Sequence, residues 1–430
     1  MLDKKEASGR KGIFMIDASK GFIKDGNKNR LREQDVHKIV DAFSRGQDIE
    51  RYCRMVPFSE IGDEKNDYNL NLPRYIDTSD PEDLQDISAH LLGGVPSRDI
   101  DALEAYWKVL PGVRGSLFKA STRKGYSDLK VPIPDIKSTI FGHKEFTAFN
   151  GSAMALFDDW KGLHAKTLES IKVGDHAKKL IETLSEDLLE TYKKAPLLDG
   201  YDIYQHLMDF WSETMQDDVY LITQEGWKGV IDGKPNTDLI PPNLLVARYF
   251  AGDKRAIEDL EAKRDDLARQ LEEMEEEHGG DDGPLNDARN EKGKLTSKSV
   301  KDYLKRIKGD KNGAEEQTTL EAYANLIEQE AEASKKVKEA TKALDSKVYG
   351  KYSALTEADV KSLVVKDKWL ARLSADVSGE LERVSQSLTG RVRELAERYE
   401  RPLPALDMRV AKLEPASVPS FPRHLRNSLT

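Results

Sequence analysis

The sequence lacks the features that mark secreted and membrane-embedded proteins. Cys53 is the only cysteine among 430 residues, which excludes a disulfide within the chain and favours a reducing compartment. No apolar run approaches the roughly 18 residues of a membrane-spanning helix. Residues 1–11 carry too many charges for a signal peptide. We therefore expect a soluble, cytoplasmic protein with no membrane partner.

The signatures of several enzyme classes are also absent. The sequence has no Walker phosphate loop and no Gly-x-Ser-x-Gly turn, which argues against a nucleotidase or a hydrolase of those kinds. Its eight histidines are scattered without a His-x-x-x-His spacing or a Cys/His pair, so a metal site has little support. The sequence therefore predicts no metal ligands and offers no catalytic residue.

The balance of charge limits the choice of partners. The formal net charge of −10 at pH 7 opposes indiscriminate attraction to nucleic acid, because phosphate binding needs a positive field. Charged residues make up 33% of the chain and hydrophobic residues 38%, a balance that favours extended, solvent-facing helices.

Positive charge is nevertheless concentrated between residues 292 and 311. In an assembly on DNA, such a cluster could contact phosphate. It could equally be a solubilising segment that balances the acidic helix before it. The candidates for phosphate contact are Lys298, Lys301, Lys305 and Arg306.

Residues 12–76 have the pattern of a small α/β unit. The apolar run Ile13–Ile16 predicts a buried strand. Asp17 after it can either line a crevice at the strand end or fix the following turn, which is the role we favour. A helix is predicted over residues 33–44, where apolar side chains recur on one face. They are Val36, Ile39, Val40 and Phe43.

Two further strands are predicted after this helix. Side chains alternate with period two over residues 51–61, and a second mixed run covers residues 66–76 after a turn at Gly62-Asp63. The predicted order is therefore strand, helix, strand, turn, strand.

The middle of the chain, residues 112–240, is predicted to be a mixed loop and helical region. Prolines and turn residues interrupt the pattern over residues 114–151 and indicate loops with one or two short strands or turns. Apolar stripes at helical spacing return near Ser152 and predict a small helical subdomain over residues 149–227.

Long helices are predicted over residues 241–401, before an irregular tail over residues 402–430. Narrow apolar seams at three- and four-residue spacing are typical of coiled coils, and they favour burial against a partner helix. The seam residues that we propose for contact with another subunit or for self-association are Ile257, Leu260, Leu267, Leu271, Leu370, Leu373, Val377, Leu381, Val384 and Leu388.

Several runs of the sequence together carry a family resemblance. In the first part of the chain they are Ile13–Phe22, Gly26–Asn29, Asp67–Asn71 and Arg74-Tyr75, and further along they are Pro241–Phe250, Glu276–Gly280 and Val364–Tyr399. These runs resemble the modification subunits of type I restriction-modification systems. Those subunits are adenine-specific DNA methyltransferases. Residues 112–234 match that family only loosely.

The resemblance implies a mainly α protein with a small α/β part. Residues 1–111 would be the distal part of the methyltransferase domain. The long helices would pack on the specificity subunit, in a complex that also contains the restriction subunit and DNA. The parent enzyme would transfer a methyl group from S-adenosylmethionine to a flipped adenine. The chain would be a C-terminal fragment of that subunit, serving subunit assembly and scaffolding of the DNA complex.

Two motifs that this chemistry needs are missing from the sequence. A Gly-rich turn lets the backbone approach the cofactor, and an Asn/Asp-Pro-Pro-Tyr/Phe motif holds the flipped adenine. The nearest match, Ile240-Pro241-Pro242-Asn243, lacks both ends of that motif and suits a helix start. We therefore expect that this chain binds no cofactor and is inactive alone. The alternatives are a coiled-coil scaffold protein or a stand-alone nucleic-acid-binding module.

Overall fold

A computed structural model describes residues 9–79, 83–280, 283–307, 314–403 and 408. Helices hold 66% of the residues and strands 8%, which confirms the prediction of a mainly α protein with a small α/β part. Most of the predicted tail, residues 402–430, lies outside the described residues, and the division of the sequence into four regions stays a prediction. Two compact units are present, one of residues 1–168, 176–216 and 370–430, the other of residues 169–175 and 217–369.

The first unit begins with a two-stranded antiparallel sheet. β1 pairs with β4 in the register Gly12 to Pro57 and Ile16 to Cys53. These two strands are the first and the last elements of the segment. The hairpin of β2 and β3 and the predicted helix lie between them in the chain. The elements are β1 (Gly12–Ile16), β2 (Ile23–Asp25), β3 (Lys28–Arg30), α1 (Glu33–Arg45) and β4 (Cys53–Pro57).

The last predicted strand, over residues 66–76, is wrong. This segment contains turns and a 3₁₀ helix, Leu72–Arg74. Asp67 and Tyr68 have φ angles of 44° and 57°, in the left-handed region that an extended strand excludes. Pro73 lacks the N–H group that a strand ladder needs. The strand predicted over residues 51–61 also stops early, because α2 (Phe58–Ile61) follows directly after Pro57.

Short helices and a second small sheet continue the first unit. The sheet is antiparallel with the strand order β5-β7-β6. The elements in chain order are α3 (Ile87–Leu92), β5 (Val95–Pro96), α4 (Ser97–Asp101), α5 (Glu104–Val109), α6 (Pro111–Leu117), β6 (Phe118–Ala120), β7 (Tyr126–Leu129) and α7 (Ile136–Phe141).

Longer helices follow, as predicted, but the first of them begins earlier than the sequence suggested. They are α8 (Lys144–Glu169), α9 (Ala177–Tyr192) and α10 (Gly200–Phe210). The expectation of loops up to residue 151 is therefore wrong at its end. Phe146 and Phe149 already belong to the buried stripe of α8, although Gly142 and Gly151 interrupt the helical pattern in the sequence.

The second unit is built around a pair of long antiparallel helices, α13 and α15. Asp253 near the start of α13 accepts a hydrogen bond of 2.6 Å from Lys347 Nζ, and Glu275 near its end accepts one from the Tyr323 hydroxyl. The order of these pairs shows that the helices run in opposite directions. The elements are α11 (Gln216–Glu225), β8 (Val230–Ile231), β9 (Lys234–Pro235), α12 (Pro242–Tyr249), α13 (Ala251–His278), α14 (Ser297–Ile307), α15 (Ala314–Tyr352) and α16 (Glu357–Lys361).

The helix start predicted at the Pro241-Pro242 pair is confirmed, and a second helix start in this unit also follows from the local sequence. Pro242 is the first residue of α12, where the fixed φ of proline suits a helix start. Thr356 begins α16 with a capping box, in which its hydroxyl accepts from the Asp359 N–H and the Asp359 carboxylate accepts from the Thr356 N–H.

A buried carboxylate fixes the π-helical segment Ser362–Leu370 that follows α16. Asp218 accepts hydrogen bonds of 2.8 Å from Lys368 Nζ and 2.7 Å from Trp369 Nε1. Burial raises the pKa of the Asp218 carboxyl, and the Lys368 ammonium opposes that shift. Lys368 also donates to the carbonyls of Asp238 and Leu239, each at 3.1 Å, so the pair is fully hydrogen-bonded.

The last helix, α17 (Ala371–Tyr399), belongs to the first unit and packs on α3, α7 and α10. His206 on α10 and Glu380 on α17 form an ion pair with an Nε2–Oε1 distance of 2.9 Å. The hydrogen bond from Glu380 raises the pKa of His206, and the same bond lowers the pKa of Glu380.

Replacing Lys368 by Met should destabilise the second unit, because Asp218 would lose its ammonium partner. Breaking a buried ion pair from one side costs about 3–5 kcal/mol, which urea denaturation at pH 7 would measure. The matched control is Lys366→Met. Lys366 is exposed, and its Nζ lies 3.6 Å from Glu169 Oε1, so this variant removes an ammonium group from a solvated ion pair. An equal loss of unfolding free energy in both variants would contradict the assignment.

The His206–Glu380 pair should make stability depend on pH. The folded pKa of His206 is raised, so its contribution is fully present below about pH 6.5 and is lost as pH rises through that raised value. The pKa of Glu380 is lowered in the folded state, so its contribution to stability is fully present above about pH 4.5 and is lost as pH falls through the lowered value. Relative to wild type, His206→Gln should therefore lose more unfolding free energy at pH 5.5 than at pH 9, by up to about 1 kcal/mol. A difference that does not change with pH would argue against the pair.

Candidate functional site

Asp17 lies directly after β1, at the end of the two-stranded sheet. Its backbone N–H donates to the Tyr52 carbonyl over 2.8 Å, and its carboxylate accepts a hydrogen bond of 2.9 Å from the Ser19 N–H. The side chain is buried. Asp17 therefore fixes the turn after β1, which is the role favoured from the sequence.

The loop after this turn packs on the N terminus of α1. Gly21 is required there, because a Cβ atom would lie 2.8 Å from Asp35 Oδ1. The Arg32 guanidinium donates two hydrogen bonds of 2.9 Å to the Asp35 carboxylate, and the Arg32 N–H donates a third. Although burial opposes it, these bonds lower the pKa of Asp35. The loop and the helix start are thus held as one rigid element.

The polar side of α1 attaches this element to α9 and α10. Gln34 donates from its backbone N–H to Gln205 Oε1 and from Nε2 to Asp202 Oδ1, each over 2.9 Å. His37 Nε2 lies 2.8 Å from Glu186 Oε1. A helix of a globular protein usually packs through its apolar face, so this arrangement is inverted.

The apolar side of α1 faces outward. Val36, Val40 and Phe43 are 45%, 55% and 56% exposed. They follow one another at spacings of four and three, so they form one continuous stripe along the helix. Contiguous exposed apolar surface is a feature of sites that dock other protein elements when the patch is large. We refer to these three residues as the α1 stripe.

A cavity of 860 Å³ opens beside β4 in the same segment. Charges of both signs line it, and its cysteine, Cys53, is almost completely buried. Burial raises the pKa of the Cys53 thiol, which disfavours the nucleophilic thiolate. None of the described residues that line the cavity is a glycine.

The structure places the predicted subunit contacts in two different environments. On α13, Leu267 is buried, and Ile257, Leu260 and Leu271 are half-buried in the helix whose main packing partner is α15. The candidates near the other end of the chain are all buried in the first unit: Leu370, Leu373, Val377, Leu381, Val384 and Leu388. Packing within the chain already covers these side chains, so a surface for another protein would be made largely from other residues.

The predicted phosphate contacts lie together on α14. Lys298, Lys301 and Lys305 are exposed at spacings of three and four and share one helix face. Carboxylates accompany two of them: Lys301 forms an ion pair with Glu328, and Lys305 Nζ lies 3.6 Å from Asp302. The Arg306 guanidinium lies 5.2 Å from the ring centre of Tyr303. The charge of these four cations is partly balanced, and their role in binding phosphate stays a prediction.

The described residues contain neither a metal-ion cluster nor a membrane-spanning helix. Within the described ranges, no group of three or more His, Cys, Asp or Glu side chains could hold a metal ion. Among the helices that the structure describes, none is both long and apolar enough to cross a membrane.

Known proteins are similar to the N-terminal segment of this chain. Residues 1–84 match the family model of N-6 DNA methylase. The MjaVII methylase subunit of a type I restriction enzyme from Methanocaldococcus jannaschii is 42% identical over 80 residues, which are 18% of this chain and 14% of that protein. The MjaVIII methylase subunit from the same organism is 38% identical over 80 residues, with the same coverage.

A more distant relative matches the same proportion of the chain. The MpnII methylase subunit of a type I restriction enzyme from Mycoplasma pneumoniae is 27% identical over 84 residues, covering 20% of this chain and 15% of that protein. The matched region thus spans about one seventh of each of these relatives. No solved structure matches the chain. The segment that carries the α1 stripe is therefore similar to part of the methylase subunits of type I restriction enzymes.

Proposed function

We propose that this chain is one part of a DNA methyltransferase assembly that corresponds to a type I modification subunit. In this proposal residues 12–76 complete an N-6 DNA methylase domain, and the helices act as its scaffold. The complete enzyme transfers a methyl group from S-adenosylmethionine to the exocyclic amine of adenine. The specificity subunit, the restriction subunit and DNA are the further partners of the complex.

The α1 stripe is the observation that carries this proposal. It lies within the segment that matches the N-6 DNA methylase model, and its side chains face away from the chain's own packing. Burying the exposed parts of two valines and a phenylalanine would contribute a few kcal/mol, at about 25 cal/mol per Å². The sheet beside it has two strands, fewer than a stable sheet with an apolar face normally needs. Both features fit a segment that packs on the rest of a methylase domain.

The residues of this chain support a role in assembly but not in cofactor binding. The Pro241-Pro242 pair, the nearest match to the adenine-holding motif, forms the start of α12. Asp17, the polar residue at the end of β1, is engaged in a turn. We therefore assign the cofactor and the target base to the part of the methylase domain that packs against the α1 stripe.

A coiled-coil scaffold that only self-associates has less support. The seam of α13 already packs against α15 of the same chain, and the six seam residues from Leu370 to Leu388 are buried in the first unit. Self-association would have to use other surfaces, such as the α1 stripe. Measurement of the oligomeric state with and without a methylase partner separates these two functions.

The proposed assembly predicts that cofactor binding and methyl transfer both require a further polypeptide segment, the one that carries the cofactor motifs. The DNA immediately upstream of this coding sequence should encode a Gly-rich turn and an Asn-Pro-Pro-Phe-like motif. Joined to or co-expressed with that part, the chain should yield a complex that binds S-adenosylmethionine in calorimetry and methylates adenine in DNA. The chain alone should do neither. Micromolar binding of S-adenosylmethionine by the isolated chain would refute this assignment.

Charged substitutions in the α1 stripe should prevent assembly without unfolding the chain. Val40→Asp with Phe43→Asp places carboxylates where the partner's apolar surface would lie, and an unpaired buried charge is costly. Both sites are more than half exposed, so the melting temperature of the chain alone should change little. Leu163→Asp is the matched control, because Leu163 on α8 is 74% exposed and lies outside the matched segment. Co-purification with the cofactor-binding part reports the result, and an equal loss in the control would count against the stripe.

A further inference from the structure

A basic groove lies between α6 and the β6–β7 hairpin of the first unit. Its volume is 460 Å³. None of its described lining residues is an aspartate or a glutamate, although the chain as a whole has a net charge of −10. Cations and hydroxyl groups line it instead, contributed by Arg114, Lys119, Arg123, Lys124, Ser97, Ser121 and Ser127. We call this site the basic groove.

Arg123 is fixed in the groove by partners that leave its charge uncompensated. Its Nη1 atom donates hydrogen bonds of 2.9 Å to the Gly93 carbonyl and 3.2 Å to the Ser88 carbonyl. Its guanidinium lies 3.6 Å from the ring centre of Tyr126. These partners are neutral, so they orient the cation while its positive field stays available to an anion.

The remaining cations of the groove are accessible. Lys119 and Lys124 are exposed, and within the described part of the chain neither forms an ion pair, although Asp128 lies opposite Lys119 in the β6–β7 ladder. Arg114 pairs with Asp101, but both side chains are largely exposed, and such pairs contribute little to stability. A phosphate group could therefore replace Asp101 at small cost.

The hairpin that carries these side chains is held in a defined shape. Gly125 has a φ of 86°, in the region that favours glycine. Its carbonyl accepts a hydrogen bond of 2.9 Å from the Ser97 N–H at the start of α4, and the Ser121 N–H donates to the Tyr126 carbonyl over 3.0 Å. The backbone positions that carry the cations on α6, β6 and the turn are thus held before any ligand binds, which lowers the entropic cost of binding.

We propose that the basic groove binds the phosphate backbone of duplex DNA. Its cations are spread over a helix, a strand and a turn, as suits an extended polyanion. Single strands are usually held by stacked bases, but here Phe118 is buried and Arg123 covers one face of Tyr126. The groove therefore offers phosphate contacts and little aromatic surface. The choice of DNA as the polyanion rests on the proposed function, whereas the charge of the groove does not.

The test measures the affinity of the intact chain for a short fluorescent DNA duplex between about 50 and 200 mM salt. Contacts from the four cations of the groove predict that the logarithm of the affinity falls against the logarithm of salt with a slope of about −3.6. Lys119→Gln with Lys124→Gln should reduce the magnitude of that slope by about 2. Both lysines are exposed, and circular dichroism checks that the variant remains folded.

The matched control removes two exposed lysines from the other basic cluster. Lys298→Gln with Lys305→Gln on α14 changes the net charge equally and should leave the slope unchanged. An unchanged slope in the groove variant, a loss confined to the α14 variant, or binding to anionic vesicles but not to duplex DNA would overturn the proposal. Methyl transfer is not the readout, so failure of the groove and failure of the assembly remain distinguishable.

Discussion

The first unit depends on the polar attachment of α1 to the helices behind it. Gln34 and His37 join it to α10 and α9 through hydrogen bonds of 2.8–2.9 Å, and Asp35 ties its start to the preceding loop. Hydrogen bonds are directional, so they fix the rotation of the helix about its axis. That rotation turns the α1 stripe outward and leaves it free for a partner.

The long helices bury their own apolar seams. The α13 seam packs on α15, and the α17 seam packs on α3, α7 and α10. Burial of these seams stabilises the two units, while the segment that resembles a methylase keeps an apolar stripe exposed. The seams of the long helices are covered within the chain, whereas the α1 stripe is exposed. This difference favours a methylase part as the partner over a second copy of the long helices.

Charge is distributed in a similarly uneven way. The lysines of α14 have acidic neighbours such as Glu328 and Asp302, as the acidic composition of the chain would suggest. The basic groove has no carboxylate among its described lining residues. Apart from Ser97, its described lining residues all lie within residues 111–127, a stretch with four cations and no aspartate or glutamate. The local sequence therefore shows the excess of positive charge, but only the packing of α6 against the β6–β7 hairpin shows that these cations line one groove.

Periodicity in the sequence determined the helices, because each long helix repeats its apolar residues at three- and four-residue spacing. The chemistry of single side chains accounts for the helix starts at Pro242 and Thr356 and for the turn at Asp17, because each of them acts on its immediate neighbours in the sequence. Tertiary structure decided which face of α1 is buried and which seams pair within the chain. Those outcomes depend on partners distant in sequence, and a local pattern gives the existence of an apolar face but not what covers it.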